Sequence, residues 1–156
     1  MQLPTVALAV VIYAAVLASA APAEPPPYSA VEVDPFAVVQ DVALPPDYQT
    51  ALPENIAREI TLAYETVIIV RPGDPPPFGH AVLRISGTVI RFQPANPAKR
   101  SLIGFHAGAA MLQARVRFAD ASTGQVLLIR EVKGASESVA KKIVKFCITS
   151  HWLESK

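Results

Sequence analysis

The chain is poor in cysteine and in charged residues, and each shortage excludes a class of protein. Cys147 is the only cysteine among 156 residues, so neither an intrachain disulfide nor a zinc site of paired cysteines can form. Charged residues make up 17% and the net charge is +1, which disfavours nucleic acid as a partner. Apolar residues reach 51%, which predicts a folded chain, and the length suits one domain.

The N-terminus has the composition of an export signal. Residues 6–20 carry no charge and are rich in alanine and valine, and small residues follow at positions typical of signal cleavage. We therefore expect a signal peptide over residues 1–23, cut after Ala20 or Ala23, and a periplasmic or extracellular protein. An uncleaved anchor is the alternative, because no Lys or Arg precedes the apolar stretch. The lone cysteine is far from this segment, so no lipid anchor is expected.

Residues 24–30 form a proline-rich stem, and residues 31–153 are predicted to form a single small α+β domain. Alternating and helical spacings of apolar residues define its elements. We expect a mixed, mostly antiparallel sheet of about five strands, with two helices packed on one face and the signal helix in front. In chain order the predicted elements are a strand over 31–39 broken near Pro35, a helix over 50–64, a short buried strand over 65–70, strands over 80–92, 110–118 and 125–132, and a helix from 136.

Local residue choices sharpen three of these predictions. Thr50 is expected to cap the first helix, with Pro53 in its first turn, and serines are expected to cap the last helix. In the strand 80–92 most apolar residues are at odd positions up to Val89 and at even positions from Ile90 onward. This change predicts a bulge between Gly87 and Ile90. The last helix places Val139, Ile143, Phe146 and Cys147 on one stripe, opposite three lysines.

The stretch around His106 is the best candidate for chemistry, and it lacks what a catalytic or binding motif requires. Gly104 and Gly108 are spaced G-x-x-x-G without the Lys-Ser/Thr of a phosphate-binding loop. His106 has no second ligand at a metal-binding spacing. Ser138 and Lys141 match S-x-x-K, but the companion motifs of that enzyme class are absent. We therefore expect no catalytic residue, no metal and no cofactor, and we predict that the protein is not an enzyme.

Basic residues on neighbouring strands are the better candidate for binding. A spacing of two places Gln113, Arg115 and Arg117 in a row on one face of the sheet, and Arg84 or Arg91 can join them from the next strand. The row is either a solvated face with cross-strand ion pairs, for instance to Glu131, or a surface that binds a partner. A further alternative is contact between the lysine face of the last helix and anionic lipid, with Phe146 and Trp152 as anchors.

Residues 89–127, together with the export signal, the stem and the lysine-rich last helix, resemble a family of bacterial exported proteins called domain of unknown function 4410. The matching positions are Arg100, Gly104, Phe105, Gly108, Asp120, Thr123 and Gly124. The resemblance covers about residues 30–150. It implies no enzymatic activity, and it brings no catalytic residues to carry over.

Two functions follow from these observations. The first is a non-catalytic envelope protein that binds or scaffolds another envelope protein in periplasmic or outer-membrane assembly, either as a monomer or as a homo-oligomer. The second is a periplasmic receptor that holds a small anionic ligand near Arg100 and His106. An open sheet face would favour the first, and a pocket in which these two side chains converge would favour the second.

Overall fold

The computed structural model describes residues 27–96 and 109–153, in which two helices lie on one face of a mixed sheet. The signal peptide, most of the stem and the stretch 97–108 are outside the described residues, and the predictions for Arg100, Gly104, Phe105, His106 and Gly108 are outside them as well. The elements are β1 (Ala30–Val33), β2 (Ala37–Val38), α1 (Pro46–Ala63), β3 (Ile68–Val70), β4 (Val82–Gln93), β5 (Met111–Asp120), β6 (Val126–Gly134) and α2 (Ser136–Thr149).

The described strands form one sheet of six strands in the order β3-β1-β4-β5-β6, with β2 also paired to β4. β1 is parallel to both β3 and β4, whereas β4, β5 and β6 are antiparallel neighbours. β1 and β2 lie in line beside β4, interrupted by residues 34–36 that include Pro35. The predicted α+β class with a mixed sheet and helices on one face is therefore confirmed, with one more strand than expected.

The bulge predicted in the long strand is present at Ile90. The pairing of β4 with β5 shifts in register between Val89 and Arg91. Before the shift Leu83, Ile85 and Val89 are fully buried, and after it Phe92 packs against the same core. The extra residue therefore returns the apolar side chains to the helical side of the sheet.

The core lies between the sheet and the helices. Leu52, Ile56 and Ile60 from α1 and Val139, Ile143 and Cys147 from α2 are almost completely buried against it. The alternate residues of β5 contribute Leu112, Ala114, Val116 and Phe118, as their spacing predicts. Phe146 and Trp152 pack around the ring of Phe118, with centroids 6.2 Å and 5.2 Å away. The expectation that these two aromatic residues anchor a membrane contact is therefore wrong.

Helix boundaries and one strand differ from the sequence prediction. α1 begins at Pro46 rather than Thr50, because a proline at the first helical position loses no intrahelical hydrogen bond. Pro53 consequently lies inside α1 and not in its first turn. Serine does not cap α2, since its N-cap is Ala135 and no side chain bonds there. β3 is an edge strand whose Ile68 is 39% exposed, so it is less buried than predicted.

None of the helices within residues 27–96 and 109–153 has the length and hydropathy needed to cross a membrane.

Candidate binding face of the sheet

The face of the sheet turned away from the helices, which we call the open face, carries all five predicted binding residues. Alternation along β4 and β5 places Arg84, Arg91, Gln113, Arg115 and Arg117 there. The register aligns Arg91 with Gln113 and sets Arg115 and Arg117 opposite small β4 residues. β6 extends the same rows with Lys133, Glu131 and Ile129. The structure therefore brings the predicted residues together, and their role as a binding surface stays a prediction.

Arg115 is held by a carboxylate on the neighbouring strand. Its Nη2 and Nε donate to Oε1 of Glu131 at 2.8 Å and 3.2 Å, and Nε2 of Gln113 donates to the other carboxylate oxygen at 3.3 Å. The hydrogen bonds from Arg115 lower the pKa of Glu131. The cross-strand ion pair expected of an exposed antiparallel sheet is therefore present, and it occupies Arg115.

Arg84 is also occupied, at the junction of β1 and β4. Its Nη2 and Nε contact Oε2 of Glu32 at 2.8 Å and 2.9 Å, and the side chain of Glu32 is only 9% exposed. Asp34 lies further away, with 3.9 Å between its Oδ2 and Nε of Arg84. Burial, followed by repulsion from Glu32, raises the pKa of Asp34. A buried carboxylate needs a partner of opposite charge. Arg84 therefore stabilises the pairing of β1 with β4, and its guanidinium group is not free for a ligand.

Arg91 and Arg117 are the guanidinium groups of this face that form no ion pair with the described residues. Nη2 of Arg117 donates to the backbone carbonyl of Gly124 at 3.2 Å, and a neutral carbonyl does not compensate the charge of the guanidinium group. Arg91 is exposed near the end of β4. Ile129, which pairs with Arg117, is 50% exposed and adds an apolar contact. A partner of negative charge would therefore meet these two arginines and the exposed Lys133 in the row of Gln113.

Asp120, Thr123 and Gly124 form the turn between β5 and β6. Oδ1 of Asp120 accepts hydrogen bonds from the backbone N–H groups of Ser122 and Thr123, both at 2.8 Å, and its Oδ2 accepts one from the hydroxyl of Tyr28 at 3.1 Å. Burial alone would raise the pKa of Asp120, but hydrogen bonds lower it to about 2, first the one from the Ser122 hydroxyl at 2.6 Å and then those from Thr123 and Tyr28. Gly124 has φ +71°, where glycine is favoured. These three motif residues therefore stabilise the hairpin and tie it to Tyr28.

A cavity that the sequence did not indicate lies beside the open face. Residues 71–81 fold back toward the start of β4 and enclose about 440 Å³ with Glu32, Asp74, His80 and Arg84 on its walls. Nδ1 of His80 shares a hydrogen bond of 2.8 Å with Oγ of Ser29. The walls carry two carboxylates and one arginine already paired with Glu32. Parallel pairing of distant segments creates this site, so no local sequence signal predicts it.

No group of three His, Cys, Asp or Glu side chains within the described ranges is arranged to hold a metal ion.

The described residues form a two-layer α+β domain whose sheet carries a charged face away from the helices, covered only in part by residues 71–81. The chain belongs to the family described as Domain of unknown function (DUF4410), whose model matches residues 40–140. No curated protein is similar enough in sequence to match this chain.

Solved structures of other proteins share the fold at low sequence identity. The protein XCC0632 of Xanthomonas campestris, of the family DUF330, has a TM-score of 0.54 at 12% identity, with 83% of this chain and 89% of that chain covered. The PelC dodecamer of Paraburkholderia phytofirmans has a TM-score of 0.51 at 15% identity, with 82% and 90% covered. At these identities the likeness extends to the fold alone.

Proposed function

We propose that this protein is a non-catalytic, exported component of the bacterial envelope that binds another envelope protein through the open face. The observation that carries the proposal is the pair Arg91 and Arg117 at the surface of this face, which form no ion pair with described residues. They lie on the part of the sheet that no described helix or loop covers, whereas residues 71–81 cover the face near Ala30 and Val82. Charged surfaces of this kind steer encounter and set the specificity of partners. The partner is therefore expected to present acidic groups.

The receptor for a small anionic ligand has less support. The cavity beside the open face carries Glu32 and Asp74, which repel an anion, and Arg84 there is already paired. Arg100 and His106 lie outside the described residues, so no geometry favours a site between them. Arg91 and Arg117 line no enclosed cavity within the described residues, which agrees better with a protein partner than with an enclosed ligand.

The partner can also include further copies of this chain. A protein of similar fold, PelC, is a dodecamer. Among the strands that the structure describes, β3 and β6 are the two edges of the sheet, and edge strands can pair with another chain. We therefore propose that homo-oligomerisation accompanies partner binding in this protein.

Affinity recovery from an envelope extract tests the open face. The variant Arg91→Ser/Arg117→Ser should fold normally, because both side chains are at the surface and form no ion pair with described residues. It should recover less partner than the wild type, and wild-type recovery should fall as salt rises. Arg58→Ser/Arg130→Ser is the matched control, since it removes the same charge from exposed positions away from this face. Equal recovery by all three proteins would contradict the proposal.

A further inference from the structure

The outer surface of the helices carries an apolar patch where both helices end. Leu62 lies in the last turn of α1 and Ile148 in the last turn of α2. Their side chains are 72% and 50% exposed, although most large apolar residues of the helices are buried. A shallow groove of about 310 Å³ lies between them, and Ala63 and Val144 contribute to its walls. This patch is apolar surface that residues 27–96 and 109–153 leave uncovered.

Lysines border the same groove. Lys141 and Lys145 lie one helical turn apart on α2, both are exposed, and both line the groove beside Ile148. Glu59 is the acidic residue on its wall, and neither lysine forms an ion pair with the described residues. Apolar side chains flanked by lysines on one helical surface are the composition that binds an anionic bilayer interface. The long lysine side chains can reach phosphate groups while their methylene groups cover apolar surface.

The chain enters the domain beside this patch. The backbone N–H of Tyr28 donates to the carbonyl of Trp152, and Tyr28 also forms a bridge with Leu153, only a few residues beyond Ile148. The uncharged segment 6–20 therefore connects to the domain at the end where the exposed apolar residues lie. A membrane that holds this segment, whether during export or permanently, would lie close to the same end.

We infer that the C-terminal ends of α1 and α2 form a docking surface for an anionic lipid bilayer. Leu62 and Ile148 enter the interface, and Lys141 and Lys145 contact the lipid phosphates. Because the helices and the open face lie on opposite sides of the sheet, the open face remains accessible to a protein partner when the helices contact the bilayer. The inference is independent of the partner-binding proposal.

Flotation of the full-length chain with lipid vesicles tests the inference. Vesicles of phosphatidylcholine alone report any binding by the N-terminal segment, and vesicles that also contain phosphatidylglycerol report the anion-dependent increment. Lys141→Ser/Lys145→Ser should lower the anion-dependent partition coefficient about 30-fold, because each lysine near an anionic surface contributes about 1 kcal/mol. Leu62→Ser/Ile148→Ser should lower it as well. Arg91→Ser/Arg117→Ser is the matched control and should bind these vesicles like the wild type.

Three outcomes would overturn the inference. The first is equal flotation of the wild type, the lysine variant and the control on anionic vesicles. The second is equal loss in the lysine variant and the control, which would indicate a response to net charge alone. The third is unchanged flotation of Leu62→Ser/Ile148→Ser together with a smaller mass in analytical ultracentrifugation, which would make the patch an interface between copies of this chain. Thermal melts of each variant establish that it is folded.

Discussion

Replacing Gly87 with alanine tests how tightly β4 packs against the segment between β1 and β2. A Cβ at position 87 would lie within 2.8 Å of two ring carbons of Phe36 and of the carbonyl oxygen of Arg115. Phe36 is only 6% exposed, so its ring cannot swing aside without losing burial. Gly87 does not have a positive φ, and the backbone itself would accept alanine there. The cost of the substitution is therefore steric.

The magnitude follows from the cost of overpacking. Inserting a methyl group into a packed site costs about 1 to 3 kcal/mol, so we expect Gly87→Ala to lower the free energy of unfolding by about 2 kcal/mol. Phe36→Ala should cost about 3 kcal/mol or more by leaving a cavity. In the double variant the ring no longer opposes the new methyl group. The total loss should therefore fall short of the sum by about 1 kcal/mol, with the contact to Arg115 preventing full rescue.

Urea denaturation of the wild type, both single variants and the double variant completes the thermodynamic cycle. Gly124→Ala is the control, because its site has φ +71° and no neighbour within 4 Å, so its cost arises from the backbone alone. It should lower stability by about 1 kcal/mol and show no coupling with Phe36→Ala. An undiminished stability of Gly87→Ala, or strictly additive losses in the double variant, would refute the steric explanation.

Two further predictions concern ionisable groups. The pKa of Asp120 lies below its ordinary 3.8, at about 2, so its stabilisation of the fold is complete above pH 3.8 and is lost as the pH falls toward 2. The difference in melting temperature between the wild type and Asp120→Asn should therefore shrink over this range, and a difference that stays constant would contradict the assignment. Cys147 is fully buried, and burial raises its pKa to about 12, so a thiol reagent at mildly alkaline pH should react only after unfolding, whereas a cysteine introduced by Ile148→Cys should react in the native protein. Equal reaction rates at the two positions would contradict the burial of Cys147.

The side of the sheet on which each side chain lies is predictable from the sequence, because apolar and polar residues alternate along the strands. Alternation over β5 correctly assigned Leu112, Ala114, Val116 and Phe118 to the core, and that assignment fixes the face of Arg115 and Arg117. The parity change in β4 likewise located the bulge. These features depend on neighbouring residues only, and local patterns therefore predict them.

Pairing between distant segments was not predictable in the same way. The ion pair of Glu32 and Arg84 exists because β1 lies parallel to β4, and a parallel pair is joined by a long connection that no local pattern specifies. The same pairing creates the cavity beside the open face. The early start of α1 at Pro46 was missed because consecutive prolines resemble a turn, although the second one is well suited to a first helical position.

The two ion pairs on the open face determine which of its arginines are available to a partner. Glu32 forms an ion pair with Arg84, and Glu131 forms one with Arg115. Two of the four arginines on this face are therefore already bound to carboxylates of the chain and are less available to a carboxylate of a partner. The charge of Arg117 is not compensated by its hydrogen-bond partner, which is a neutral backbone carbonyl. Ile129, which pairs with Arg117, adds apolar contact area. Interfaces derive their affinity from a few desolvated side chains within a polar rim. The binding energy on this face should therefore concentrate around Arg117 and Ile129, with the two paired arginines contributing orientation of the strands rather than contact.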